Sequence, residues 1–339
     1  MVKNVDVTFL IGNGFDLGIG LRTSYKSFYD VYCATDDGPD GPIKDFKKSI
    51  SKDYDTWADF ESAFGEYAFK VAEPNDYLQA FEDFVVSFSE YLKKEEKNFD
   101  SSKLDAIING MKRGLTSYYK IKPNDRACIE ALINANPIRF NFISFNYTKC
   151  LDDCVTTLKK RSDCHQLIQG DIETVVHVHG YIDDGMVMGV NDISQIENEA
   201  FIKNPQVTEE ILKPLQNQIY GMNFDTDTTK IINRSAIICV YGMSLGETDA
   251  KWWKLLIHWL QENSNHHLIL LLHREKISYT FQWKHFVNST RNLLFAYSDI
   301  TKEKQKLLEK QIHIDTDHDI FAMDLRKGAI DRSIHLVEV

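Results

Sequence analysis

Four short motifs carry glycines or side chains suited to ligand chemistry, and each follows a hydrophobic segment typical of a buried strand. The motifs are Gly12-Asn13-Gly14-Phe15-Asp16, Phe145-Asn146-Tyr147-Thr148, His177-Val178-His179-Gly180 and Gly242-Met243-Ser244-Leu245. In an open parallel sheet, ligands bind beyond the carboxyl ends of the strands. The recurrence of such motifs at four strand ends therefore predicts a ligand site at that edge of a sheet.

The glycine-rich motif favours a phosphate-binding loop. Gly12, Gly14 and Gly18 are spaced G-x-G-x-x-x-G, one residue longer than the usual dinucleotide-binding pattern. Gly12 can make a tight turn, Gly14 lets the backbone approach a pyrophosphate, and a helix that begins there would offer N–H groups to the anion. The alternative is a strand-to-helix turn that binds nothing. The loop has no Gly-Lys-Ser/Thr ending, which argues against a Walker-type ATPase.

The asparagine of the second motif stands where a strand is predicted to end. The amide of Asn146 can both donate and accept hydrogen bonds. It could therefore hold a ribose hydroxyl or orient a water molecule. The alternative is an asparagine that forms a turn or caps a helix.

The two histidines of the third motif lie two residues apart, so on a strand they would share a face. Such a pair can ligate a metal, but the sequence supplies no further ligands nearby. One of them could instead act as a general base. We expect a core histidine at His177 and a functional one at His179, because Gly180 leaves room for a close ligand.

Other residues that could bind metals lack a recognised spacing. Cys150, Cys154, Cys164 and His165 match no common zinc site, so we expect ordinary thiols. Asp225 and Asp227 are predicted in a polar loop without calcium-loop spacing. No metal is predicted.

Hydrophobic patterning predicts the elements that position these motifs. Strands are predicted at 5–11, 138–145, 174–181, 236–241 and 267–273, with 186–190 as a hairpin partner across Asp183-Asp184-Gly185. One predicted helix begins after Ser24 as its N-cap, and others lie over 148–158 and within 193–220. A tryptophan-rich helix that follows the strand at 236–241 runs through Leu260, and a late helix covers 301–311. Strands that alternate with helices indicate an α/β protein with a Rossmann-like, mainly parallel sheet. We predict one domain over 1–339 with a helical insertion at 43–134, whose aromatic stripes form a core.

Composition excludes several classes of protein. The 339 residues contain 39 Lys and Arg against 50 Asp and Glu, a net charge of −11 that argues against a large nucleic-acid-binding face. No stretch approaches the roughly 20 apolar residues that span a bilayer, and we expect no leader peptide, because the N-terminus lacks a basic region followed by an apolar core and a small-residue cleavage site. Six scattered cysteines fit a reducing compartment. We therefore predict a cytoplasmic protein without membrane contact.

Six motifs in order carry a resemblance to a known family. They are Phe-Leu-Ile-Gly-Asn-Gly-Phe-Asp-Leu-Gly at 9–18, Leu-Arg-Thr-Ser-Tyr at 21–25, Ser-Phe-Asn-Tyr-Thr at 144–148, Val-His-Val-His-Gly at 176–180, Met-Gly-Val-Asn-Asp at 188–192 and Tyr-Gly-Met-Ser-Leu-Gly-Glu-Thr-Asp at 241–249. Together they resemble the AbiH family of bacterial abortive-infection proteins, which act in defence against phage. The order of the motifs is also similar to that of sirtuin-like NAD-consuming folds.

The sirtuin-like resemblance implies roles for the motif residues. Asn146 matches the asparagine that supports water and ribose, and His179 matches the catalytic histidine. The remaining implied nucleotide-binding residues are Gly12, Asn13, Gly14, Phe15, Asp16, Thr148, His177, Gly242 and Ser244. Asn13 replaces a small residue, Thr148 stands where the family has Asp, and the paired cysteines of a deacetylase are missing after His179. Protein deacetylation is therefore disfavoured.

The resemblance thus implies a defence effector that hydrolyses NAD, its substrate, to nicotinamide and ADP-ribose without a metal. A phage-derived trigger or a partner defence protein would release its activity, and a homo-oligomer is left open. Two alternatives stay open. One is a module that senses a nucleotide without cleaving it, and the other is a nuclease or other toxin that uses His177 and His179 at a metal site.

Overall fold

The computed structural model describes residues 4–35, 40–115, 123–134, 136–161, 170–274 and 277–316. The chain divides into two compact units. The first unit comprises Met1–Gly20, Asp100–Val178 and Asp225–Val339, and the second comprises Leu21–Phe99 and His179–Phe224. The single domain over 1–339 stays a prediction.

The first unit is built on a six-stranded sheet in which every neighbouring pair is parallel. The strands are β1 (Val5–Ile11), β2 (Ile138–Ser144), β3 (Gly170–His177), β4 (Ile237–Tyr241), β5 (His267–Leu271) and β6 (Ile312–Asp315). Their order across the sheet is β3-β2-β1-β4-β5-β6, which is the order of doubly wound α/β folds. The predicted α/β class with a parallel sheet is therefore confirmed.

Helices connect these strands and cover the sheet. They are Gly14–Gly18, Leu104–Leu115, Pro123–Asn134, Cys150–Lys160, Phe224–Arg234, Ala250–Glu262, Thr280–Ala296 and Lys302–Leu308, with short 3-10 turns at Ser101–Lys103 and Glu247–Asp249. A core cluster forms where the Ala250–Glu262 helix buries Trp252, Trp253 and Trp259 among apolar residues of the strands. Asp225 and Asp227 lie in the first turn of a helix, so their prediction in a loop is wrong.

The third strand differs from its predicted position. β3 ends at His177, four residues before the predicted end, and Gly180 and Asp183 then adopt left-handed φ angles of 62° and 71°. Left-handed residues interrupt the extended backbone of a strand. The predicted hairpin partner at 186–190 is also wrong, because Tyr181 bridges to the turn residues that follow it while Val190 bridges to Leu212.

The second unit is mainly helical. Its helices are Tyr25–Tyr32, Pro42–Lys52, Phe60–Tyr67, Pro74–Lys97, Glu199–Ile202, Pro205–Ile211 and Lys213–Ile219, with 3-10 turns at Thr56–Ala58, Ala68–Lys70 and Ile193–Gln195. Ser24 caps the first helix, as predicted, by accepting a hydrogen bond from Ser27 N at 3.1 Å.

The predicted aromatic stripes form the core of this second unit. The rings of Phe60 and Phe84 stack with centroids 3.7 Å apart, and Phe64 stacks on Tyr77 at 4.4 Å. The helical insertion is thus confirmed for the described part of 43–134, although residues 100–134 belong to the first unit. Within the ranges that the structure describes, no helix is long and apolar enough to cross a membrane.

Candidate functional site

The register of the sheet aligns the ends of the four strands that lead into the motifs. Ile11 pairs with Ser144 and with Tyr241, and Ser144 pairs with His177. The loops that carry Gly12, Asn146 and Gly242 therefore leave the sheet at the same level. This common register brings residues predicted at the strand ends to one level of the sheet.

The glycines of the first and fourth motifs pack against each other. Gly12 N donates to the carbonyl oxygen of Tyr241 and Gly14 N to that of Gly242, both at 2.9 Å. A Cβ on Gly14 would lie 2.4 Å from Gly242 Cα, and one on Gly12 would lie 2.7 Å from Gly242 O. Gly242 itself has a left-handed φ of 68°. Close packing of two loops therefore accounts for the lack of side chains at these positions.

The backbone N–H groups that the sequence analysis predicts for pyrophosphate binding are used in this packing. Phe15 N also donates within the loop, to Gly12 O at 3.0 Å. Phe15 is itself a core side chain, 1% exposed. The N–H groups of Gly12, Gly14 and Phe15 are thus bonded to protein carbonyls.

Asp16 is the centre of a buried polar cluster. Its Oδ2 accepts a hydrogen bond from Thr148 Oγ1 at 2.6 Å, and its Oδ1 accepts one from Asn146 Nδ2 at 3.1 Å. All three residues are buried. The structure thus brings the predicted residues Asp16, Asn146 and Thr148 together between the ends of β1 and β2.

Asn146 is held at three of its four polar groups. Its backbone N–H donates to Ser144 Oγ at 3.2 Å, its carbonyl oxygen lies 3.1 Å from His177 Nδ1, and its Nδ2 donates to Asp16. Because an ionised carboxylate only accepts hydrogen bonds, the amide must turn its nitrogen toward Asp16 and its oxygen away. Asn146 Oδ1 is buried and has no hydrogen-bond partner among the described residues.

His177 contacts an acceptor with each ring nitrogen. Besides the carbonyl oxygen of Asn146, Asp152 Oδ2 lies 2.8 Å from Nε2. Both ring nitrogens are thus engaged with acceptors, and one of these contacts is to the backbone of Asn146. As expected from the sequence, His177 is buried.

Asp152 belongs to this cluster although the sequence did not single it out. It lies in the first turn of the Cys150–Lys160 helix. Cys154 follows on the same helix, and burial together with the charges of Asp153, Asp16 and Asp152 raises the pKa of its thiol to about 12. These carboxylates give the surroundings of the Asn146 cluster a negative character.

His179 lies in the second unit, outside β3, so the expectation that it shares a strand face with His177 is wrong. Its carbonyl oxygen accepts a hydrogen bond from Val187 N at 2.8 Å. The following Gly180 is packed so that a Cβ would lie 2.0 Å from Gly185 O. A turn thus fixes the backbone around His179.

The remaining predicted residues are less enclosed. Asn13 is partly buried and Ser244 is exposed on the loop after β4. The adjacent Leu245 is anchored by Tyr297, whose hydroxyl donates to its carbonyl oxygen at 2.8 Å.

The described residues that suggested metal chemistry are not gathered into a ligand set. In the described ranges no group of three or more His, Cys, Asp or Glu side chains is placed to hold a metal ion. Cys150 and Cys154 are buried thiols that are not joined in a disulfide, whereas Cys164 and His165 lie outside the described residues.

A comparison with protein families identifies a relationship over most of the chain. The family model described as bacteriophage abortive infection AbiH matches residues 8–270. This range includes all four strand-end motifs. A search of curated proteins gives no match.

Proposed function

Because this chain belongs to the AbiH family of bacteriophage abortive infection proteins, we propose that it is a defence effector that hydrolyses NAD to nicotinamide and ADP-ribose. Loss of NAD would stop phage production in an infected cell. Such an activity must be restrained before infection, so we also propose release by a phage-derived trigger or a partner defence protein.

The unpartnered amide oxygen of Asn146 is the observation that carries the proposal. A buried acceptor without a partner costs about 1–3 kcal/mol. A ligand hydroxyl or a water molecule would recover this free energy by donating to Oδ1. The ribose hydroxyls and the attacking water of an NAD hydrolase are donors of this kind.

The charge of the cluster supports the same chemistry. Cleavage of a glycosidic bond passes through an oxocarbenium-like transition state, which carries positive charge on the sugar. Fixed negative charge near a developing cation stabilises that transition state. The buried side chain of Asp16, held by Asn146 and Thr148, is suited to this role.

The reaction consumes one water molecule. The bond between ribose C1′ and the nicotinamide nitrogen breaks, and nicotinamide leaves with that electron pair. Water attacks C1′ and loses a proton. We assign His179 as the base that accepts this proton, on the sequence resemblance. Asn146 Oδ1 would orient the attacking oxygen or a ribose hydroxyl. The pyrophosphate would need donors other than the N–H groups of Gly12, Gly14 and Phe15.

Release of nicotinamide from NAD tests this proposal. The full chain is assayed after purification and within phage-infected bacteria, where a trigger is present. We expect release by the wild type, and loss of release in Asn146→Ala and His179→Ala. The exposed Asn265 provides a matched control, since Asn265→Ala should retain activity.

Three outcomes would count against the hydrolase. Infected cells that are protected from phage yet keep their NAD would exclude it. A rise in melting temperature with NAD, without nicotinamide release in either assay, would favour the nucleotide sensor instead. DNA or RNA degradation that depends on a metal would favour the nuclease.

A further inference from the structure

We infer that Asp152 is a positioning residue for Asn146 and acts through the imidazole of His177. The inference deepens the proposed function and rests on it only for the role given to Asn146. Two hydrogen bonds link the three residues: Asp152 Oδ2 to His177 Nε2 at 2.8 Å, and His177 Nδ1 to the carbonyl oxygen of Asn146 at 3.1 Å. A partly exposed carboxylate is thereby connected to the backbone of the site asparagine.

The hydrogen-bonding capacity of the groups defines how this link works. A backbone carbonyl and an ionised carboxylate can only accept, and a neutral imidazole has one N–H. An imidazolium, which has two N–H groups, satisfies both bonds to His177. The side chain of His177 is 4% exposed, and a buried charge is tolerated only with a partner. Asp152 supplies that counter-charge.

The consequence for Asn146 is a fixed peptide. His177 holds its carbonyl oxygen while Ser144 Oγ holds its N–H. With both sides of the residue held, the side chain is presented to Asp16 in one orientation and Oδ1 points in one direction. Without Asp152, the ring loses the charge and the hydrogen bond that Asp152 supplies, and the hold on Asn146 weakens.

A different effect of Asp152 must be separated from positioning. Acidic residues in the first turn stabilise a helix through its dipole, and Asp152 and Asp153 both lie in the first turn of the Cys150–Lys160 helix. Asp153 is exposed, and no hydrogen bond joins it to His177 among those of the described residues. Asp153→Ala is therefore the matched control for loss of first-turn charge.

Nuclear magnetic resonance on the full chain, labelled with ¹⁵N at histidine and asparagine, tests the inference without any ligand. His177→Gln and Asn146→Ser assign the signals. In the wild type at neutral pH we expect hydrogens on both ring nitrogens of His177. In Asp152→Ala we expect loss of that signature and about tenfold faster solvent exchange of the Asn146 side-chain amide, which corresponds to about 1.4 kcal/mol. Asp153→Ala should change neither.

A second variant covers the case in which Asp152→Ala fails to fold. In Asp152→Asn, the new amide can donate to Nε2 while Nδ1–H still bonds to Asn146, so a neutral ring is satisfied. We expect a neutral His177 with amide exchange near the wild-type rate. A neutral ring in the wild type would overturn the inference, as would unchanged Asn146 exchange in Asp152→Ala.

Titration of NAD into the same samples separates this inference from the proposed function. If the ring and amide signals behave as expected while NAD neither binds nor is cleaved, positioning of Asn146 stands and the NAD assignment fails. If NAD is cleaved equally well by the wild type and Asp152→Ala, with unchanged amide exchange, the NAD assignment stands and positioning by Asp152 is excluded.

Discussion

The hydroxyl of Thr148 donates a hydrogen bond of 2.6 Å to Asp16 Oδ2, between residues that follow two neighbouring strands. Because both side chains are buried, this contact joins the loop after β1 to the loop after β2. It also leaves Asp16 Oδ1 to bind Asn146. The hydroxyl of Thr148 thus serves as a donor to Asp16.

Thr148→Val should destabilise the protein because it removes this donor while keeping the shape of the side chain. Loss of one partner of a buried charged acceptor costs about 1–3 kcal/mol. Urea denaturation measures the change. Thr156 is exposed on the following helix, so Thr156→Val should alter the free energy of unfolding by less than about 0.5 kcal/mol. Equal effects of the two substitutions would mean that the Asp16 contact contributes nothing.

Gly14→Ala should lower the melting temperature, because the added methyl would lie 2.4 Å from Gly242 Cα. Backbone atoms cannot yield as a flexible side chain can, and overpacking costs about 1–3 kcal/mol. Gly18 offers the control within the same motif, since its Cβ would meet only Tyr241 Oη at 3.7 Å. Gly18→Ala should leave the melting temperature unchanged or raise it. A fully stable Gly14→Ala protein would argue against the observed loop packing.

Lys213→Met should strongly destabilise the protein. Lys213 Nζ lies 2.6 Å from Glu61 Oε2, and the side chains are 4% and 6% exposed. Removal of one partner of a buried ion pair costs about 3–5 kcal/mol.

The double substitution Glu61→Leu with Lys213→Met should recover most of that loss in urea denaturation, because no charge is left buried. The exposed pair of Lys230 and Asp227 provides the control, and Lys230→Met should cost less than about 1 kcal/mol. If the double variant is as unstable as the single one, packing rather than charge explains the effect.

Because of Cys154, the free energy of unfolding should fall at alkaline pH. Burial, followed by nearby carboxylates, raises the pKa of its thiol from 9.0 to about 12. Between these values the unfolded chain releases the thiol proton while the native protein retains it, so stability falls as pH rises from about 9 to about 12.

This contribution should disappear in Cys154→Ala, measured as the free energy of unfolding against pH. At pH 8.5 the native thiol should also resist alkylation, because the thiolate is the reactive form. Rapid alkylation of native Cys154, with Cys33 as the more exposed reference, would show that the thiol is not protected.

The sequence predicts the central strands well because they are buried on both faces. β4 is a continuous apolar run, and β1 is apolar except at Asp6 and Thr8, as is typical of strands buried in a parallel sheet. β3 lies at one edge of the sheet and begins with Gly170-Asp171-Ile172-Glu173, so its polar half resembles a loop. β6 has only four residues, Ile312–Asp315. Its apolar pattern is too short to be recognised after the charged helix that precedes it.

The site was predicted only in part for a related reason. Asp16, Asn146 and Thr148 follow strands, and the motif pattern brings them to attention. Asp152 lies on a helix beside Asp153 and looks like an ordinary solvated charge. Its contact with His177 depends on how that helix packs against β3, which no local spacing encodes. Likewise, Gly14 resembles a phosphate-binding glycine, and only the position of Gly242 reveals the packing that requires it.

The contact between Gly14 and Gly242 also determines where a nucleotide could lie. In doubly wound sheets the strand order reverses between β1 and β4, and dinucleotides ordinarily straddle that crevice. Here backbone meets backbone across it, with Gly14 N bonded to Gly242 O. The two loops are therefore in backbone contact at Gly14 and Gly242. We expect a ligand bound at Asn146 to lie on the β1–β2 side of this contact.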